Sequence, residues 1–180
     1  MGIDIGGAFT VEGEKTGQAL KIKGAADAYV IDDVGRTHHP NQIGFVAGYN
    51  TDPGWWGQPA GWTTWNYQNA TTYNKGGGYA NGRFTAPVAG AYAFHWMCYH
   101  YRPDVGFGAY IHPQFWINNV ASSLYPLLAY WAPQGYSFDS DIFHILYLNA
   151  GDYVEAHIYF SHAGQSGYPA HSGFSGFLVG

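Results

Sequence analysis

Charge is scarce in this chain, and positive charge most of all. Of 180 residues only 11% are charged, and no Lys or Arg follows Arg102. The first 102 residues hold seven basic and seven acidic side chains and sum to zero. The remaining 78 hold five acids and no base, so the whole formal net charge of −5 sits there. A surface that grips DNA or RNA needs a basic stripe to displace counterions from phosphates. None exists here, and nucleic acid is excluded as a partner.

Other absences are equally telling. Lys, Glu and Leu, the staple residues of helices, number only 4, 3 and 7, which argues against a helical bundle or a doubly wound α/β fold. A single cysteine, Cys98, rules out an intrachain disulfide framework. No run approaches the ~18 apolar residues of a membrane helix, so no membrane insertion is expected. Residues 1–7 lack the basic start and long apolar stretch of a secretion signal, so the chain is expected to be made without secretion machinery.

What fills the space instead is aromatic and Gly content. Tyr, Trp and Phe make up 19% of the chain and Gly contributes 26 residues, about twice the usual frequency of roughly 7%. So much apolar surface excludes disorder, and an all-β chain with many turns is the expectation.

The chain reads as two parts. Residues 1–42 hold three of the four lysines and contain short β-like pieces at 8–11, 19–23 and 28–31, separated by turn residues. Such a segment is too short to build a core of its own. From Ile43 onward longer strands recur between Gly, Pro and Asn residues: 44–48, 82–86, 91–100, 114–117, 141–148, 153–160 and 174–179. That spacing predicts an antiparallel sandwich or jelly roll over residues 43–180. Within 91–100, Tyr92, Phe94, Trp96 and Cys98 alternate onto one face, so Cys98 reads as a buried, inert thiol. Residues 50–62 and 122–136 read as aromatic loops, the first holding Trp55, Trp56 and Trp62.

Many of the 34 aromatics fall on the strand face opposite that core, Tyr99, Tyr147 and Tyr159 among them. A monomer exposing them would carry apolar patches above the few hundred Å² usual on monomers. Self-association is therefore expected.

The stretch from Trp65 to Phe94 resembles the signature of the complement C-one-q globular head, a family related in fold to tumour necrosis factor. Its Asn, Tyr and Gly-x-Phe-x-Ala-Pro-x-x-Gly-x-Tyr-x-Phe pattern is met by Asn69, Tyr73, Gly82, Phe84, Pro87, Gly90, Tyr92 and Phe94. Later, Leu148-x-x-Gly151-Asp152-x-Val154 and Phe174-Ser175-Gly176-Phe177-Leu178 are similar to the family's closing blocks. The resemblance covers about residues 43–180. It implies a ten-stranded jelly roll assembled as a compact homotrimer. Gly90 and Gly151 are then expected at tight turns or close backbone approaches, Pro87 at a strand end, and Asp152 as an acceptor for backbone N–H groups in its turn. Tyr92, Phe94, Phe174 and Phe177 are expected to pack the sandwich or line the subunit contact.

Two departures shape the functional expectation. Residues 1–42 lack the Gly-every-third period of a collagen stalk. Instead, residues 17–36 resemble the β-rich joints found upstream of trimeric knobs in bacteriophage fibres. The combined expectation is a viral structural protein on the virion surface, made in the host cytoplasm: a trimeric tail-fibre or receptor-binding head, attached to other virion proteins by an N-terminal anchoring arm, that recognises a host-surface glycan or other receptor. The alternatives are a capsid decoration or cement protein with no receptor role, or a bacterial cell-surface binding module. For ligand binding the candidates are Trp55, Trp56 and Trp62, whose rings suit stacking on sugars. The competing reading is that Trp55 and Trp56 plug the subunit seam or cap the sandwich.

Enzyme chemistry finds little footing. No Gly-x-Ser-x-Gly elbow exists, and the acids of the second half are Asp104, Asp139, Asp141, Asp152 and Glu155 alone. Asp139 and Asp141 share a strand face and read as solvated. His38 and His39 project oppositely if extended. His95 and His157 lie opposite their strands' core residues, where a threefold axis would gather three rings, but an interfacial or solvent-exposed ring is preferred. The loop acids form no calcium loop. No catalysis, cofactor or metal is expected.

Overall fold

The computed structural model describes residues 20–23, 27–31, 37–38, 42–48, 54–66, 70–101, 109–122 and 137–179. The expected strand at 8–11, the loop at 123–136, His39, Asn69 and Asp104 lie outside them. The chain divides into two units, Met1–Asn41 and Gln42–Gly180.

In the first unit, β1 (Leu20–Lys23), β2 (Asp27–Ile31) and β3 (Thr37–His38) form a three-stranded antiparallel sheet in that order. Leu20 pairs with Ile31 and Ile22 with Tyr29, and the register slips between Ile22 and Lys23.

The second unit is a sandwich of two antiparallel sheets. Its strands are β4 (Gly44–Gly48), β5 (Trp56–Gly57), β6 (Gly61–Thr64), β7 (Ala70–Lys75), β8 (Tyr79–Ala80), β9 (Arg83–Thr85), β10 (Gly90–Tyr101), β11 (Ile111–Ile117), β12 (Val120–Ala121), β13 (Ser137–Leu148), β14 (Tyr153–Phe160) and β15 (Ser166–Leu178). The first sheet runs β13-β10-β15-β4-β7, with β5 also on β15; the second runs β12-β11-β14-β9-β8, with β6 also on β14. The resemblance implies ten strands. Two six-stranded sheets form among the described residues, because two-residue pairs such as β5 and β12 add to the edges. The expected loop at 50–62 is corrected by the same pairing: Trp56 lies opposite Gly167, and Gly61–Thr64 opposite residues 157–160 of β14.

Alternation decides what is buried. On β10 the even positions Tyr92, Phe94, Trp96 and Cys98 are each no more than 1% exposed. Phe45 stacks on Tyr79 and Phe84 at 4.6 and 5.0 Å between centroids and meets Phe174 edge-on at 4.8 Å. Aromatic pairs in these offset and edge geometries add to the stabilisation from burial alone. Gly176 makes room for this stack: a Cβ there would lie 2.6 Å from Phe94 Cδ1 and 2.8 Å from Phe45 Cε1.

The turn after β13 is built as expected. Gly151 has φ +91°, a left-handed conformation that side chains resist. The Asp152 carboxylate accepts the Asn149 N–H at 2.8 Å and the Asn118 side-chain amide at 2.8 Å. Those two bonds, Asn118's first, hold its pKa below the ordinary carboxylate value. Gly90 is outside the left-handed region and is the buried first residue of β10, opposite Leu148.

Candidate functional site

The three tryptophans singled out in sequence occupy three different surroundings. Trp56 points inward, its ring 5.7 Å from that of the fully buried Trp65. Trp55 turns the other way, as adjacent residues in extended chain must, and is 46% exposed. Tyr168, Tyr99 and Tyr101 surround it at 4.9, 5.7 and 5.7 Å between centroids. His171 extends the cluster, 4.7 Å from Tyr168 and 5.4 Å from Tyr99.

Trp62 belongs to the outer face of the second sheet, remote in topology from Trp55. It is 41% exposed and its ring lies 5.4–5.5 Å from Tyr159, His112 and Trp116. Trp116 in turn stacks on His157 at 4.2 Å with planes 10° apart. That lid leaves His157 only 7% exposed, so it is not the open ring its outward position suggests. Burial pulls its pKa down, opposed by the Glu155 carboxylate 3.3 Å away. Arg83 grips Glu155 at 2.9 Å and lies 3.8 Å above the Tyr153 ring.

Beside Trp55 the first sheet opens into a trough of about 480 Å³ lined by Trp55, Gly57, Tyr101, Ser137, Gly164 and Ser166. Strand register creates it. Ser137, Tyr101, Ser166 and Gly57 stand opposite one another across β13, β10, β15 and β5. Paired residues share a face, so small side chains flank Tyr101 in this row and leave the trough open beside the Trp55–Tyr101 ring pair.

Farther along the same face the surface is apolar. Phe143, Ile145 and Tyr147 of β13 are 56, 54 and 71% exposed, beside Phe177 at 51%. Of the two places expected for these residues, the sandwich interior or the subunit contact, Tyr92, Phe94 and Phe174 take the interior, whereas Phe177 points away from the core. Odd-numbered β13 residues face away from the second sheet, and their β10 partners are short or polar: Ala91, Ala93 and His95. His95 pairs with Asp141 at 2.8 Å, an interaction the sequence reading of a solvated Asp141 omitted.

Of the remaining signature residues, Gly82 and Phe84 are buried around β9, and Pro87 follows β9 in an exposed bend. Tyr73 is exposed on β7, its hydroxyl donating to the Gln42 carbonyl at 3.3 Å. Cys98 is buried, and burial pushes its thiol pKa well up, away from nucleophilic range. Among the described residues no three His, Cys, Asp or Glu side chains gather to hold a metal ion, and no helix is long and apolar enough to cross a membrane.

No family model matches the sequence, and no curated protein matches it. Solved structures do. The globular domain of a zebrafish complement 1qA protein superimposes with a TM-score of 0.51 at 15% identity, covering 78% of this chain and 97% of that one. Murine APRIL is similar at a TM-score of 0.50 and 12% identity, covering 77% and 99%. The chain has the complement 1q and tumour necrosis factor-like jelly-roll fold.

Proposed function

We propose that this chain is the subunit of a homotrimeric bacteriophage virion-surface head that recognises a host-surface glycan, with its N-terminal segment attaching to other virion proteins. The observation that carries the reading is the one-sided apolar face of the first sheet. Phe143, Ile145 and Tyr147 lie along edge strand β13, and Phe177 lies two strands inward. An edge row from one subunit laid against the sheet face of the next is a head-to-tail contact, the kind that forms a closed ring when its rotation closes; the reading is that it closes with three copies. Heads of this fold class assemble that way and act as binding modules rather than enzymes. The short strands of residues 20–38, without a collagen period, favour a fibre joint over an animal-type stalk. Exposed Trp55 and Trp62, each braced by other rings, suit stacking on sugars.

Light scattering on the purified chain at micromolar concentration tests the assembly. A mass near three times 19.8 kDa is the expected result, and a stable monomer overturns the reading. Binding to an array of bacterial surface glycans tests recognition, and labelled antibodies on intact phage particles test the location.

A further inference from the structure

We infer that the trough beside the Trp55–Tyr101 ring pair binds a short, neutral oligosaccharide; the inference rests on the glycan-recognition reading above and assigns it a site. The walls and floor are chemically distinct. Trp55 and Tyr101 present aromatic faces, while Ser137 and Ser166 contribute hydroxyls from the floor. A pyranose ring has the same division, with an apolar C–H face and a rim of hydroxyls. The volume of about 480 Å³ falls within the roughly 300–1,000 Å³ usual for small-ligand sites.

The site is also held in shape before a ligand arrives. Three tyrosines fix the Trp55 ring, and the floor is hydrogen-bonded sheet. Rigid walls spare the ordering cost that a mobile aromatic would incur on binding. Charge chooses among sugars. Among the described residues, none that lines the trough is ionisable near neutrality, and the nearest acid on β13, Asp139, stands one register row away opposite Tyr99. An acidic sugar would meet that carboxylate with no cation among the described lining residues to offset its desolvation. A neutral one meets no such penalty.

Position separates this site from the proposed subunit contact. Six residue steps of β13 separate Ser137 from Phe143, about 20 Å along a strand. Gly57 provides a clean probe, since a Cβ there meets nothing within 4 Å and its φ is not left-handed. Gly57→Leu fills the trough without straining the sheet.

The full-length chain is titrated by calorimetry with lactose, cellobiose and mannobiose, with sialyllactose as the acidic counterpart, and screened on a bacterial glycan array. The expected result is binding of at least one neutral disaccharide, weakened more than tenfold by Gly57→Leu and by Trp55→Ala. Trp62→Ala is expected to leave it unchanged, and all variants to keep the wild-type assembly mass. Binding that survives both trough variants but is lost in Trp62→Ala overturns the site while sparing the glycan reading. Preference for acidic glycans overturns the ligand class. A change of assembly mass in Gly57→Leu shows that a neighbouring copy covers the trough, and also overturns the site. No binding to any disaccharide or array glycan removes the glycan reading itself, and the site with it.

Discussion

Trp56 packs against Trp65 with ring centroids 5.7 Å apart, while its neighbour Trp55 lies on the other face of the same short segment. Trp65 is fully buried, and Gly167 makes its place: a Cβ at residue 167 would lie 1.9 Å from Trp65 Cη2. Trp65→Ala is expected to cost about 3–5 kcal/mol, the range for a buried large aromatic truncated to Ala. Trp55→Ala is expected to cost no more than about 1 kcal/mol. Urea unfolding followed by circular dichroism compares the two, and equal losses would overturn the assignment of opposite faces.

Assembly should fail at β13. Tyr147, 71% exposed, is a surface side chain in a single subunit, so Tyr147→Asp is expected to leave the fold intact. In the proposed trimer it places a charge against an apolar neighbour, which is costly to bury unpaired. Sedimentation velocity at micromolar concentration is expected to show a monomer for Tyr147→Asp and a trimer for Tyr73→Asp, on the far edge strand β7. A trimeric Tyr147→Asp would place the contact elsewhere.

Much of this was legible in sequence wherever alternation was strong. The even-numbered run from Tyr92 to Cys98 declared its buried face, and the strand at 153–160 was delimited by its own period. Gly151 and Asp152 declared their turn through Gly and Asx chemistry. The short strands β5 and β6 were not legible, because Pro and Gly dominate residues 53–61 and pairs of two and four residues leave too little period to read. Nor was the trough. It depends on which residues of β13, β10, β15 and β5 stand opposite one another, a register that no single segment encodes. His157 looked open because its strand position faces outward. The covering ring, Trp116, comes from β11, some forty residues earlier, and no local pattern announces it.

Acid should loosen the head through buried imidazoles. His100 is 1% exposed, its Nε2 2.6 Å from the Ser140 hydroxyl, and burial pulls its pKa from 6.5 to about 3. The folded state therefore binds the proton more weakly than the unfolded chain. Its stabilising contribution is fully present above about pH 6.5 and is lost as the pH falls from there toward 3. Burial shifts His112, His144 and His157 in the same direction. His100→Gln keeps a hydrogen-bonding side chain that does not titrate. Between pH 6 and 4 its stability is expected to fall less steeply than wild type, by about 1.4 kcal/mol per pH unit. Parallel curves from urea melts at each pH would exclude His100 as a source of acid sensitivity.

The last expectation concerns the ion pair under the Trp62 cluster. Glu155 is 8% exposed, and its Oε1 accepts from Arg83 Nη2 at 2.9 Å and Nε at 3.2 Å. The arginine side chain is 42% exposed, so solvent screens part of the attraction and the pair itself stabilises little. Removing one partner is a different matter, because it leaves a nearly buried carboxylate with His157 alone. Arg83→Met is expected to cost about 1–3 kcal/mol, the penalty for an unsatisfied buried charge. Glu155→Gln, which keeps the shape and an oxygen to accept from Arg83 while losing the acceptor that faces His157, is expected to cost less. The double variant should then be more stable than Arg83→Met alone, since the stranded charge has gone. Denaturant melts of all four proteins close the cycle. Strict additivity would mean that the two side chains do not share the energy their geometry implies.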